Sequence, residues 1–261
     1  MEVVPLSSPE EVGALAADTI EALLRDRPSA VLGLATGSSP LPTYQELIRR
    51  HRDGSAPPYD DVRCFTLDEY VGLPAGHPQA YRATIARELT DALGIPDARI
   101  ASPDPSPDGL PESGRRYEDT IVEAGGIDLQ VLGIGGDGHL AFNEPGSSLA
   151  SLSRIKTLTE RTRRDNARFF ESFDAVPVHV LTQGLGTILR AGHLLLVAAG
   201  SDKSAAIAAA VEGPVSASCP ASVLQLHRHV SILLDPAAAS GLTRTSYYQE
   251  VYAAKPSWQT L

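Results

Sequence analysis

Val31-Leu32-Gly33-Leu34-Ala35-Thr36-Gly37-Ser38-Ser39-Pro40-Leu41 passes from an apolar run through a small, hydroxyl-bearing turn, and a helix-like pattern follows to about Arg50. An apolar run without polar alternation is a strand covered on both faces, which is the habit of parallel sheets. Similar runs recur at 30–35, 62–67, 129–134, 176–181, 194–199 and 230–234, with helical patterns between them. The first helix is marked at its start. Ser8-Pro9-Glu10-Glu11 supplies an N-cap, a proline at the first helical position and a capping-box glutamate, ahead of apolar Val12, Leu15, Ala16, Ile20, Leu23 and Leu24. This alternation predicts a single doubly wound α/β domain spanning 1–261, with a largely parallel sheet flanked by helices on both faces. In that architecture ligands sit beyond the carboxyl ends of the strands, so the loops there should hold the chemistry.

Composition narrows the function classes. With 43% hydrophobic and 21% charged residues in 261, the chain is an ordinary globular one rather than a disordered or coiled-coil protein. Its 22 Lys and Arg against 32 Asp and Glu give a net charge of −10, which argues against broad binding to nucleic acid or to an anionic membrane. An anionic ligand must therefore meet a local basic site. Two cysteines, Cys64 and Cys219, are too few for a disulfide framework. The opening Met1-Glu2-Val3-Val4-Pro5 lacks the pattern of a secretion signal, and no apolar run approaches the ~20 residues that span a bilayer, so a cytoplasmic protein is expected. The proline-rich stretch 102–111 reads as a loop inside the domain.

Four loops carry candidate chemistry. Thr36, Gly37, Ser38 and Ser39 open a helix and could cradle a phosphate on backbone N–H groups, or could be plain turn residues. In Phe65-Thr66-Leu67-Asp68-Glu69-Tyr70-Val71-Gly72 two adjacent acids end a strand; only one need face a ligand, and a helix cap is the alternative. The richest loop is Leu132-Gly133-Ile134-Gly135-Gly136-Asp137-Gly138-His139-Leu140-Ala141-Phe142-Asn143-Glu144-Pro145-Gly146-Ser147-Ser148. An imidazole among carboxylates can be held in one tautomer and tuned for proton transfer, against the alternative of a structural histidine in a turn. No second His or Cys stands at ligand spacing, so no metal is expected. Arg168 and Lys203 could each reach a phosphate, or could be solvated charges.

Jointly, Leu34-Ala35-Thr36-Gly37-Ser38-Ser39-Pro40, the Asp68 and Asp137 segments, Arg154-Ile155-Lys156-Thr157-Leu158-Thr159 and Gly200-Ser201-Asp202-Lys203-Ser204 resemble the glucosamine-6-phosphate deaminase family in order along nearly the whole chain. The resemblance implies isomerisation and deamination of glucosamine 6-phosphate to fructose 6-phosphate and ammonia, in amino-sugar breakdown. It implies Asp68 as the enolisation base. Asp137, His139 and Glu144 would serve ring opening, with the two acids orienting and tuning His139. Thr36, Gly37, Ser38, Ser39, Arg168 and Lys203 would bind the phosphate. Neither a metal nor a nicotinamide cofactor is implied, and a mobile cover would fall around 151–173. Allosteric members of the family are hexamers activated by N-acetylglucosamine 6-phosphate. The residues resembling that effector site are Ser147, Arg154, Lys156, Thr157 and Tyr248, with the Met1 amine. Arg154-Ile155-Lys156 also alternates as an exposed strand would. The alternatives are a 6-phosphogluconolactonase, which shares a Gly-x-Asp-Gly-His loop, and a sugar-phosphate sensor without turnover.

Overall fold

A computed structural model describes every residue from Met1 to Leu261 except Ala75, Ser257 and Thr260. The strands are β1 (Glu2–Pro5), β2 (Val31–Leu34), β3 (Arg63–Thr66), β4 (Asp68–Tyr70), β5 (Ile100–Ala101), β6 (Leu129–Leu132), β7 (Arg154–Thr157), β8 (His179–Thr182), β9 (His193–Ala198) and β10 (Val230–Leu234). The helices are α1 (Pro9–Asp26), α2 (Leu41–Arg52), α3 (Tyr81–Ile85), α4 (Leu110–Glu123), α5 (Glu160–Asn166), α6 (Leu185–Ile188), α7 (Ser204–Val211), α8 (Pro236–Ala239) and α9 (Thr245–Ala253).

Seven strands form one sheet in the order β1-β10-β9-β6-β2-β3-β5, with every neighbouring pair parallel. Every residue of β2, β6, β9 and β10 is buried. Since side chains alternate between the two faces, both faces of the sheet's centre are covered, as the unbroken apolar runs require. Helix α1 begins as its sequence dictates: Ser8 Oγ accepts from the Glu11 amide at 3.2 Å, and Glu11 reaches back to the Ser7 amide at 2.9 Å. Its buried stripe, Val12, Ala16, Ala17, Ile20 and Leu24, packs against β9, β10 and α2. Each large aliphatic group so buried contributes roughly 1.5 to 3 kcal/mol.

The run at 176–181 departs from expectation. Its strand begins only at His179 and leaves the large sheet, lying antiparallel between β4 and β7 in a second sheet of order β4-β8-β7. Apolarity reports burial and not partnership, and β4, which turns out of the large sheet one residue after β3, is the partner that claims it. Strands β1 and β5 escape a hydrophobicity reading because they are edges, β1 ending in a proline and β5 only two residues long. The exposed alternation at 154–156 does form a strand, β7, with only partial burial. Among the described residues no helix is long and apolar enough to cross a membrane.

Strand order places the site. From β2 the chain builds outward through β3 to β5, then returns to set β6 on the other side of β2 and builds outward again through β9 and β10. The crevice between β2 and β6 is therefore the topological switch point, where the loops after the two strands part and leave room for a ligand.

Candidate active site

The loops following β2, β3, β6 and β9 line one cavity of about 800 Å³. After β2, Gly37 takes a φ of +97°, a left-handed conformation that side chains oppose, and the turn enters α2 with no side-chain cap at Pro40. The Leu41 amide is taken by the Ser38 carbonyl at 3.4 Å and Pro42 has no N–H, so the donors left for an anion are those of the turn itself, with Thr36, Gly37, Ser38 and Ser39 on the cavity wall. Tyr44 fastens the base of this turn, donating to the Ala35 carbonyl at 2.7 Å.

The two acids after β3 divide their work. Asp68 lines the cavity at 6% exposure, and among the described residues its carboxylate makes no side-chain hydrogen bond. Burial, reinforced by the neighbouring Glu69 charge, pushes its carboxyl well above the usual carboxylate range. Glu69 turns the other way, accepting from the amides of Tyr70, Tyr81 and Arg82 at 2.8, 2.9 and 3.0 Å and so anchoring the start of α3. The helix-capping role foreseen as an alternative for Asp68 belongs to Glu69.

After β6, the glycine-rich loop folds back on itself. The Gly135 amide donates to the His139 carbonyl, and a Cβ on Gly135 would stand 2.1 Å from the imidazole, so only glycine lets the ring lie there. Asn143, fully buried, donates to the carbonyls of Leu140 and Gln183, tying the loop to the chain just past β8. His139 Nδ1 lies 2.6 Å from Asp137 Oδ1. That contact draws the Asp137 carboxyl down to about 2, chiefly through the hydrogen bond to His139. It also places the ring proton on Nδ1 and leaves Nε2 free to exchange a proton.

Glu144 behaves differently from expectation. Asp137 is the acid hydrogen-bonded to His139, whereas Glu144, 8% exposed, accepts from the hydroxyls of Thr159, at 2.9 Å, and Thr162. It therefore docks α5 onto the glycine-rich loop after β6. Arg168, in the turn after α5, and Lys203, after β9, face the same cavity as the Thr36–Ser39 turn. Arg168 lies over the Phe169 ring at 4.7 Å and Lys203 pairs with exposed Asp202 at 2.9 Å, an arrangement a phosphate can compete for.

Several wall residues went unread in the sequence, above all Tyr70, Tyr81 and Asn166. Their only early signal was Tyr70's place beside the acid pair. The effector candidates are partly gathered. Arg154 and Lys156 share one face of β7 and Thr157 takes the opposite one. Ser147 Oγ is buried, without a partner among the described residues. Tyr248 lies on α9, which packs on β1, and donates to Glu212 at 3.2 Å.

Residues 8–233 match the family model described as glucosamine-6-phosphate isomerases/6-phosphogluconolactonase. The chain belongs to this family. It is 58% identical over 261 residues to the glucosamine-6-phosphate deaminase of Arthrobacter sp. (strain FB24), covering 100% of both chains. It is 56% identical over 260 residues to that of Rhodococcus opacus (strain B4), again covering 100% of both. A solved monomeric glucosamine-6-phosphate deaminase superposes with a TM-score of 0.89 at 38% identity, covering 92% of this chain and 100% of that one. The 6-phosphogluconolactonase of Thermotoga maritima shares the fold, with a TM-score of 0.70 at 20% identity over 90% of this chain and 98% of that one.

Proposed function

We propose that this chain is an enzyme that isomerises and deaminates glucosamine 6-phosphate to fructose 6-phosphate and ammonia, with residues 1–261 acting as one unit in the cytoplasm. One observation carries the reading: Asp68, the Asp137–His139 pair, the Thr36–Ser39 turn and the basic Arg168 and Lys203 all line one cavity. The relatives at 56–58% identity support the same substrate.

The phosphate enters the Thr36–Ser39 turn, held by the turn's own amides and hydroxyls, Arg168 and Lys203. Anchoring that end fixes the sugar in register with the acids, so orientation is provided before chemistry begins. His139, oriented by Asp137, moves the ring-oxygen proton and opens the sugar. Asp68 then removes the C2 proton and returns it at C1. An acid held above its usual range by burial is a stronger base once ionised, which suits a carbon acid. The resulting C2 iminium adds water and expels ammonia. Glu144 acts through α5, holding Arg168's segment against the catalytic loop. The two cysteines are free, in keeping with a reducing compartment.

A finer part of the proposal places an activating phosphosugar, N-acetylglucosamine 6-phosphate, on the Arg154 and Lys156 face of β7, with Ser147, Thr157 and Tyr248 completed across subunits of a hexamer. The solved relative at 38% identity is described as monomeric, so assembly is the first thing to measure. The catalytic reading is tested by offering purified protein glucosamine 6-phosphate and 6-phosphogluconolactone side by side. Turnover of the amino sugar alone is expected. Hydrolysis of the lactone alone would overturn it.

A further inference from the structure

The cavity wall beside Asp68 holds a pair of phenols whose hydrogen bonds do not account for their protons. Tyr70 Oη receives two donors, the Tyr81 hydroxyl at 3.1 Å and the Asn166 amide nitrogen at 2.9 Å. An amide nitrogen only donates, so Asn166 takes up neither phenolic proton. The single contact between the phenols uses one proton of the two. Among the described residues neither hydroxyl has a further partner. The space around Tyr70 is filled by the rings of Tyr81, Phe142 and Phe170, at 4.8, 6.0 and 5.6 Å between centroids, which offer no acceptor. Tyr70 and Tyr81 both line the cavity that Asp68 lines. Burial pushes Tyr70 up to about 12, so it keeps its proton through the working range of a deaminase.

We infer that the Tyr70 hydroxyl, held by Asn166 and Tyr81, donates its uncommitted hydrogen bond to the C1 oxygen of the open-chain substrate and stabilises the charge that gathers there during enolisation. The inference rests on Asp68 being the base. When Asp68 takes the C2 proton, the C2–H electron pair becomes the C1–C2 double bond and the carbonyl pair moves onto the C1 oxygen. Carbons flanking C2 carry oxygens at C1 and C3, and only the C1 oxygen gains charge in this step. A donor fixed in advance beside the base lowers that barrier without reorganising, and the phenol gives up no proton. Asn166 is thereby a positioning residue: it fills one lone pair of Tyr70 and fixes the direction of the remaining O–H.

Tyr70→Phe removes the donor and keeps the ring packing. The expected result is a fall of about 10²-fold in both kcat and deuterium exchange at C2, as for loss of one preorganised oxyanion donor, with KM within about threefold. Affinity for inorganic phosphate should be unchanged. Tyr81→Phe leaves the Tyr70 proton free and should cost less than about tenfold. Wild-type exchange in Tyr70→Phe would overturn the inference, and so would equal losses in both variants with weakened phosphate binding, which would mark a packing role. Asp68→Asn measured in parallel separates the two readings. If it keeps C2 exchange, the base assignment fails; if it abolishes exchange while Tyr70→Phe keeps it, only the donor assignment fails.

Discussion

Replacing Asp137 with asparagine probes the contact on which proton handling at His139 depends. The carboxyl is drawn from 3.8 to about 2, chiefly by its hydrogen bond to His139 at 2.6 Å. At 1.36 kcal/mol per pH unit this corresponds to about 2 kcal/mol in favour of the ionised form. The side chains are 28% and 29% exposed, so solvent screening reduces the net contribution to about 1 to 2 kcal/mol. The sign follows from the lowered value: the stabilisation is present above pH 3.8, and is lost as pH falls through about 2. Asp137→Asn should therefore unfold at lower denaturant than wild type at pH 7, with the gap closing only under strong acid. Asparagine can also present its amide to Nδ1, which reverses the favoured tautomer and takes Nε2 out of use. Turnover should fall by roughly 10² to 10⁴, the usual contribution of a positioned acid–base group. Urea titration and steady-state kinetics on one preparation read both effects. Wild-type stability at pH 7 together with wild-type kcat would refute the reasoning.

Asp68→Asn should abolish turnover and yet raise Tm at pH 7, because a buried carboxyl with a raised pKa loses stabilisation as pH rises through its folded value; the gain should shrink on acidification. The same shift predicts that wild-type kcat/KM falls on the acid side as Asp68 takes up its proton, read from a pH–rate profile. Arg168→Ala and Lys203→Ala should each weaken binding of a phosphorylated sugar by roughly 1.5 to 3 kcal/mol, measured by calorimetry, while unphosphorylated glucosamine is unaffected. For the effector site, rate against glucosamine 6-phosphate should be sigmoidal and turn hyperbolic with N-acetylglucosamine 6-phosphate, a change lost in Arg154→Ala or Lys156→Ala. Superimposed wild-type curves would remove that site.

Much of this organisation was legible because its signals are local. Five of the six apolar runs entered the parallel sheet, and the α1 cap pairs residues three apart. The turn after β2, Asp68 and the Asp137–His139 pair were legible for the same reason. What stayed hidden is set by topology. Asn166 meets Tyr70 across 96 positions, Glu144 meets Thr162 across 18, and β8 finds β4 rather than the large sheet. Glu69 shows the limit most clearly. Nothing in its sequence separates it from Asp68, and only the backbone direction after β3 sends one acid into the cavity and the other to the start of α3.

The most direct measurement is the simultaneous yield of ammonia and fructose 6-phosphate when purified protein is given glucosamine 6-phosphate as its only substrate. Equimolar release of the two is expected, abolished by Asp68→Asn. Ketose without ammonia, or neither product from a protein that still binds the sugar phosphate, would contradict the assignment of this cavity as a deaminase site.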